Sequence, residues 1–255
     1  MTETEWLTCT DPIPMLEEIR GRMSNRQALL FACACCRRIW HWLSDNGSRR
    51  ALEVTERYAD GQATKKEWEN ARRAAHRAED IARGQSVIAS EAVRAAQLTG
   101  EYNRWWSHPT ETTNQEAQRV HYAAFAVSNA CRCGTNWGFQ APVKAAEFSR
   151  LASESLITKT GLAKEACYQC VVLRCIFGDQ FRLVSVTPAW LTWKDGTTRR
   201  LAQAIYDDRR YQDLPILADA LEDAGCDNAD ILTHCRGGGE HVRGCWVIDL
   251  LLGKE

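Results

Sequence analysis

The densest run of reactive side chains lies near the C-terminal end: His234-Cys235-Arg236-Gly237-Gly238-Gly239-Glu240-His241-Val242-Arg243-Gly244-Cys245-Trp246-Val247-Ile248-Asp249. Three chemistries compete for it. A Cys–His hydrolase or transferase would use Cys245 (or Cys235) as nucleophile and His241 as general base. Asp249, one helical turn beyond Cys245, would orient the imidazole. An anion site would use the free N–H groups of a helix start behind the three glycines, with Arg236, His241 and Arg243 as donors. No Gly-Lys-Ser/Thr follows those glycines, so ordinary ATP chemistry has no support. A zinc site would draw on His234 or Cys235 with His241 and Cys245, but that order matches no standard finger spacing. Beside these stands a structural reading, in which the glycines are a loop, His241 packs or caps, and Cys245 and Trp246 belong to the core.

The chain has 12 cysteines and 10 tryptophans, both unusual numbers for 255 residues. Cys33-Ala-Cys35-Cys36 contains the two-residue gap of metal and redox motifs. It falls in mid-helix, on the apolar face of Leu29, Trp40 and Leu43, whereas redox pairs sit at helix N-termini where the dipole lowers the thiol pKa. Cys167, Cys170 and Cys175 follow helical spacing with Ala163 and Phe177 and read as packing residues. Cys131-Arg-Cys133 ends a helix beside glycine and could pair with Cys167 and Cys170 around zinc, but its one-residue gap argues against it. His41, His76 and His121 lie within helices and His108 precedes a proline, none with an acidic partner at diagnostic spacing. The expectation is therefore no metal and no cofactor.

Composition narrows the function classes. Lys and Arg total 32 against 33 Asp and Glu, a net charge of -1, which gives no global reason to bind nucleic acid or an anionic membrane. No apolar run approaches the roughly 20 residues of a membrane span. The start, Met1-Thr-Glu-Thr-Glu-Trp6, lacks the parts of a signal peptide, so a cytoplasmic protein with reduced thiols is expected. Five Arg pairs, at Arg37, Arg49, Arg72, Arg199 and Arg209 with the residue following each, support nucleic-acid binding weakly, because acidic residues interleave with most of them.

The elements that must position these side chains read as helices. Asp11-Pro12 opens the first, with a cap and a first-turn proline. Ser24 with Gln27, and Thr64 with Glu67, form capping boxes. Further helices are expected over 48–61, 64–83, 86–98 (set off by Gly84), 114–131, 142–155 and 162–177. A long loop is expected over 100–113. One short strand is expected over 181–186, and Lys194-Asp-Gly196 reads as a turn before a helix over 198–208. Pro215 opens a helix that Gly225 closes, Asp227 or Asn228 caps the next, and 242–252 ends the chain as an apolar, helical segment. The fold class is mainly α: a multi-helix protein, with residues 1–180 as a helical domain, 181–255 as a small α-rich C-terminal subdomain, and at most one or two short strands.

Several segments together carry a family resemblance. Leu29-Leu-Phe-Ala-Cys33 through Cys36-Arg-Arg-Ile-Trp40, Leu173-Arg-Cys-Ile-Phe-Gly178, Pro188-Ala-Trp-Leu191, Leu201-Ala-Gln-Ala-Ile-Tyr206, Leu214 to Gly225 and His241 to Leu250 resemble a heavily duplicated family of planctomycete bacterial proteins. The resemblance implies kinship and brings no activity, cofactor or site residue with it. With no complete catalytic or nucleotide motif, many Trp and Arg residues and a near-neutral charge, the leading expectation is a non-enzymatic interaction module with a protein partner. The Cys245–His241–Asp249 enzyme stands second, and a nucleic-acid accessory role third.

Overall fold

The computed structural model describes residues 1–98, 109–133, 140–153, 159–178, 181 and 184–254. Among these residues the fold is mainly α, with twelve α-helices, short 3-10 turns and no strand. In order they are α1 (Glu3–Thr8), α2 (Pro12–Ile19), α3 (Asn25–Arg38), a 3-10 turn (Trp40–Trp42), α4 (Asn46–Ala59), α5 (Lys65–Leu98), α6 (Pro109–Ala130) and α7 (Gln140–Ala152). There follow α8 (Lys159–Phe177), α9 (Pro188–Asp208), a second 3-10 turn (Tyr211–Asp213), α10 (Leu214–Asp223), α11 (Ala229–Arg236) and α12 (Trp246–Leu252). No described helix is long and apolar enough to cross a membrane.

Local chemistry explains several helix starts. Ser24 and Gln27 exchange side-chain-to-backbone bonds of 3.0 and 3.2 Å, and Thr64 and Glu67 close the same box at 2.7 and 3.2 Å. Asp11, Asp45 and Asn228 each accept a first-turn N–H. Lys194, Asp195 and Gly196 all adopt left-handed backbone, so the stretch 188–208 is two helical pieces meeting at the expected turn.

Three expectations change. Gly84 does not divide its region: α5 runs unbroken for 34 residues, because a single helical glycine costs about 1 kcal/mol, less than the surrounding packing returns. Residues 181 and 184–186 are not strand; 182 and 183 lie outside the described residues. The loop expected over 100–113 is already helical from Pro109, while 100–108, with Trp105, Trp106 and His108, lie outside the described residues.

The chain divides into two compact units, with boundaries inside α3 and α8 instead of near residue 180. One unit joins Met1–Gln27 to Cys167–Glu255, and the other is Ala28–Ala166. In the first, here the terminal unit, α9, α10, α11 and α12 pack around Ile205, Tyr206, Leu217, Leu221, Ile231 and Ile248. In the second, the central unit, α5 packs against α4 and α6, and α6 against α7. Its core includes the buried thiols of Cys33, Cys35, Cys36, Cys131 and Cys133.

Candidate metal centre

Cys175 occupies the last turn of α8, and that helix stops at Gly178, which adopts φ +63°. A side chain is strained there and also has no room: a Cβ would lie 3.1 Å from the indole ring of Trp246. The indole seated on Gly178 belongs to the residue after Cys245, so this one close approach brings Cys245 beside Cys175. Trp6 ties the same helix end down, donating its indole N–H to the Gly178 carbonyl at 3.0 Å.

The other two groups come from α11 and the loop behind it. Asn228 caps α11, which ends with His234 in its last turn. His241 follows in the loop, and Gly244, at φ +93°, turns the chain so that Cys245 becomes the residue before α12. His234 Nε2 lies 3.2 Å from Cys245 Sγ, and His241 Nδ1 lies 3.7 Å from Cys175 Sγ and 4.0 Å from Cys245 Sγ. All four donor atoms fall within 4.8 Å of one another, the one gathering of metal-binding dimensions among the described residues. Both cysteines are buried and both histidines half-buried.

The electrostatics follow from that convergence. Burial raises the Cys175 thiol well above its ordinary range, and its hydrogen bond to Cys245 adds to the effect. Burial also pushes Cys245 upward, but hydrogen bonds from Cys175, His234 and His241 outweigh it and hold that thiol well below the ordinary range. Of the two thiols, Cys245 is thus the one whose surroundings favour loss of the proton. His241 Nε2 is buried with no hydrogen-bond partner.

Sequence spacing brings three of these donors into view but misses Cys175, whose helical periodicity reads as packing. The alternative donor, Cys235, is fully buried outside the group, its thiol raised by burial. Asp249 does not orient His241. Its carboxylate takes both ends of the Arg26 guanidinium at 2.6 and 3.0 Å, and Arg26 also donates to the Tyr206 hydroxyl at 2.8 Å.

The expected anion donors are not gathered either. Arg236 is held by Asp219 and Glu222 at 2.7 and 2.6 Å, and Arg243 lies over the Tyr206 ring at 4.6 Å. The three glycines follow the C-terminal end of α11, and α12 starts only at Trp246, so they do not lead into a helix N-terminus.

Most of the remaining cysteines behave as buried apolar residues. Burial raises Cys33, Cys35 and Cys36 well above the ordinary thiol range, Cys131 to about 11 and Cys170 to about 12. Cys167 is exposed.

No family model, no curated protein and no solved structure matches the chain.

Proposed function

We propose that this protein is a non-enzymatic helical module that binds one Zn²⁺ through Cys175, His234, His241 and Cys245, the metal serving to lock the terminal unit. The observation that carries the reading is the convergence of two thiols and two imidazoles from three separate segments onto one point. A tetrahedral zinc with ordinary Zn–S and Zn–N bonds sets its ligands about 3.3–3.8 Å apart. Three of the separations are 3.2, 3.7 and 4.0 Å and all lie within 4.8 Å, so side-chain shifts of up to about 1 Å bring the donors to that figure. An S₂N₂ donor set favours zinc over the hard cations. Two thiolates also neutralise the charge of the ion, which a buried site requires.

Four protein ligands close the coordination sphere and leave no position for substrate, the pattern of a structural zinc and not a catalytic one. This reading replaces the expectation of no metal. The Cys–His enzyme has less support, because Cys245 is fully buried and Asp249 is committed to Arg26.

Native mass spectrometry of the reduced full chain, expressed with zinc supplied, tests the reading. The expected result is one zinc per chain, removed by a chelator, kept by Cys235→Ser and lost by Cys175→Ser and by Cys245→Ser. A zinc-free wild-type chain, or zinc retained by both ligand variants, overturns it. Selective fast alkylation of Cys245 in the zinc-loaded chain restores the Cys–His enzyme.

A further inference from the structure

A second feature, in the central unit and independent of the metal, is the 3-10 turn Trp40-His41-Trp42. Two arginines lie over the Trp40 ring, Arg37 at 4.8 Å and Arg49 at 5.5 Å from its centre, and Arg119 lies over Trp42 at 5.0 Å. Both indoles are half-buried, while His41 is exposed and tilted against Trp42 at 5.3 Å. Such stacking fixes a guanidinium in place and leaves its outer fork free to receive an oxyanion.

The arginines differ in how they are balanced. Arg37 is neutralised by Glu56 through two bonds of 2.8 and 2.6 Å. Arg49 and Arg119 make no ion pair with the described carboxylates, and the inner Nε of each is buried without an acceptor, as is Nε1 of Trp42. Two half-buried, preorganised cations with no counter-charge form a surface that is electrostatically incomplete. Tryptophan and arginine are also the residue types that dominate binding energy at protein interfaces.

We propose that the Trp40–Trp42 turn is the docking surface for a protein partner carrying an acidic, Asp/Glu-rich segment, whose carboxylates take the free forks of Arg49 and Arg119. Charge complementarity selects this occupant. A nucleic acid is selected against by the near-neutral charge of the chain and by the pairing of three other arginines of this unit, Arg37 with Glu56, Arg57 with Glu67 and Arg83 with Asp80.

Fluorescence anisotropy on the whole 255-residue chain at about 20 mM salt tests the proposal with a fluorescein-labelled Glu-rich peptide, a single-stranded oligonucleotide of equal charge, and inorganic phosphate as competitor. The peptide is expected to bind, more tightly than the oligonucleotide, and the Arg49→Gln/Arg119→Gln pair to weaken it by about tenfold or more. Arg49→Lys/Arg119→Lys, which keeps the charge and the packing stem, is expected to lose less and so shows that the effect is not misfolding. Arg199→Gln/Arg200→Gln, in the terminal unit, is expected to leave binding unchanged. No peptide binding at low salt, binding indifferent to the Gln pair, tighter binding of the oligonucleotide, or displacement by phosphate alone at the peptide's own concentration each overturns it. None of these outcomes bears on the zinc reading.

Discussion

Both units bury cysteines, but the terminal unit holds one, Cys245, whose surroundings lower the thiol where burial raises those of the central unit. Cys33, Cys35, Cys36, Cys131 and Cys133 lie in the central unit, and burial keeps them protonated. The hydroxyl of Thr55 donates to the Ala51 carbonyl at 2.7 Å and lies 3.2 Å from Cys131 Sγ, and that polar contact does not offset the cost of burying a charge. Cys175 and Cys245 in the terminal unit are as deeply buried, yet the hydrogen bonds around Cys245 lower its thiol well below the ordinary range. The difference is the company of His234 and His241. Place in the chain does not make it, since Cys36 lies in the last turn of α3 and Cys131 just past α6, as Cys175 lies in the last turn of α8. Cysteine count, burial and a helix-end position therefore do not single out the cluster, but its imidazole neighbours do.

The sharpest test of this contrast is metal removal. Structural zinc contributes on the order of 10 kcal/mol to small zinc-dependent folds. Chelation is expected to abolish hydrogen-exchange protection across α11 and α12 while leaving α4, α5 and α6 protected. Equal loss in both units would mean that the cluster is not a local lock.

A smaller but still large effect belongs to the terminal unit without touching a ligand. Arg26→Ala takes the bidentate guanidinium away from the buried Asp249 carboxylate, a change expected to lower stability by up to about 3–5 kcal/mol in denaturant unfolding. Zinc stoichiometry should hold at one, and loss of zinc with Arg26 would make the ion pair part of the metal site.

The central unit should instead respond to alkali. The Cys131 pKa is raised from 9.0 to about 11 in the folded chain. The neutral thiol is thus favoured by folding, and this stability is fully present below about pH 9 and lost as pH rises towards about 11. The tighter hold on the proton in the folded chain is worth about 3 kcal/mol. Urea midpoints of the central unit measured across this window should fall, and Cys131→Ala should flatten the part of the fall that Cys131 causes. The smallest effect is a gain: Gly84→Ala adds a methyl that meets open space on α5 and should raise stability by about 0.5–1 kcal/mol by thermal unfolding.

Much of the fold is legible from residues a few positions apart. The Ser24/Gln27 and Thr64/Glu67 boxes, the Asn228 cap, the left-handed Gly225 and the Lys194-Asp-Gly196 turn all form as their local chemistry demands. Gly84 misleads because a weak local penalty is overridden by tertiary packing along the rest of α5. Of the Cys/His cluster, His234, His241 and Cys245 stand out by type and closeness in the chain. Cys175 does not, since its spacing on α8 is that of an ordinary packing residue.

What the sequence by itself determined was therefore the helices, their caps and the stock of cysteine, histidine and arginine, because these depend on interactions between near neighbours whose geometry the backbone supplies. Which of those side chains meet was decided only by the tertiary structure. The seating of Trp246 on Gly178 joins Cys245 to Cys175, and the pairing of Arg26 with Asp249 removes the acid from the imidazole. Both contacts join residues far apart in the chain, and their energies come from close packing and from burying charge, which no local spacing encodes.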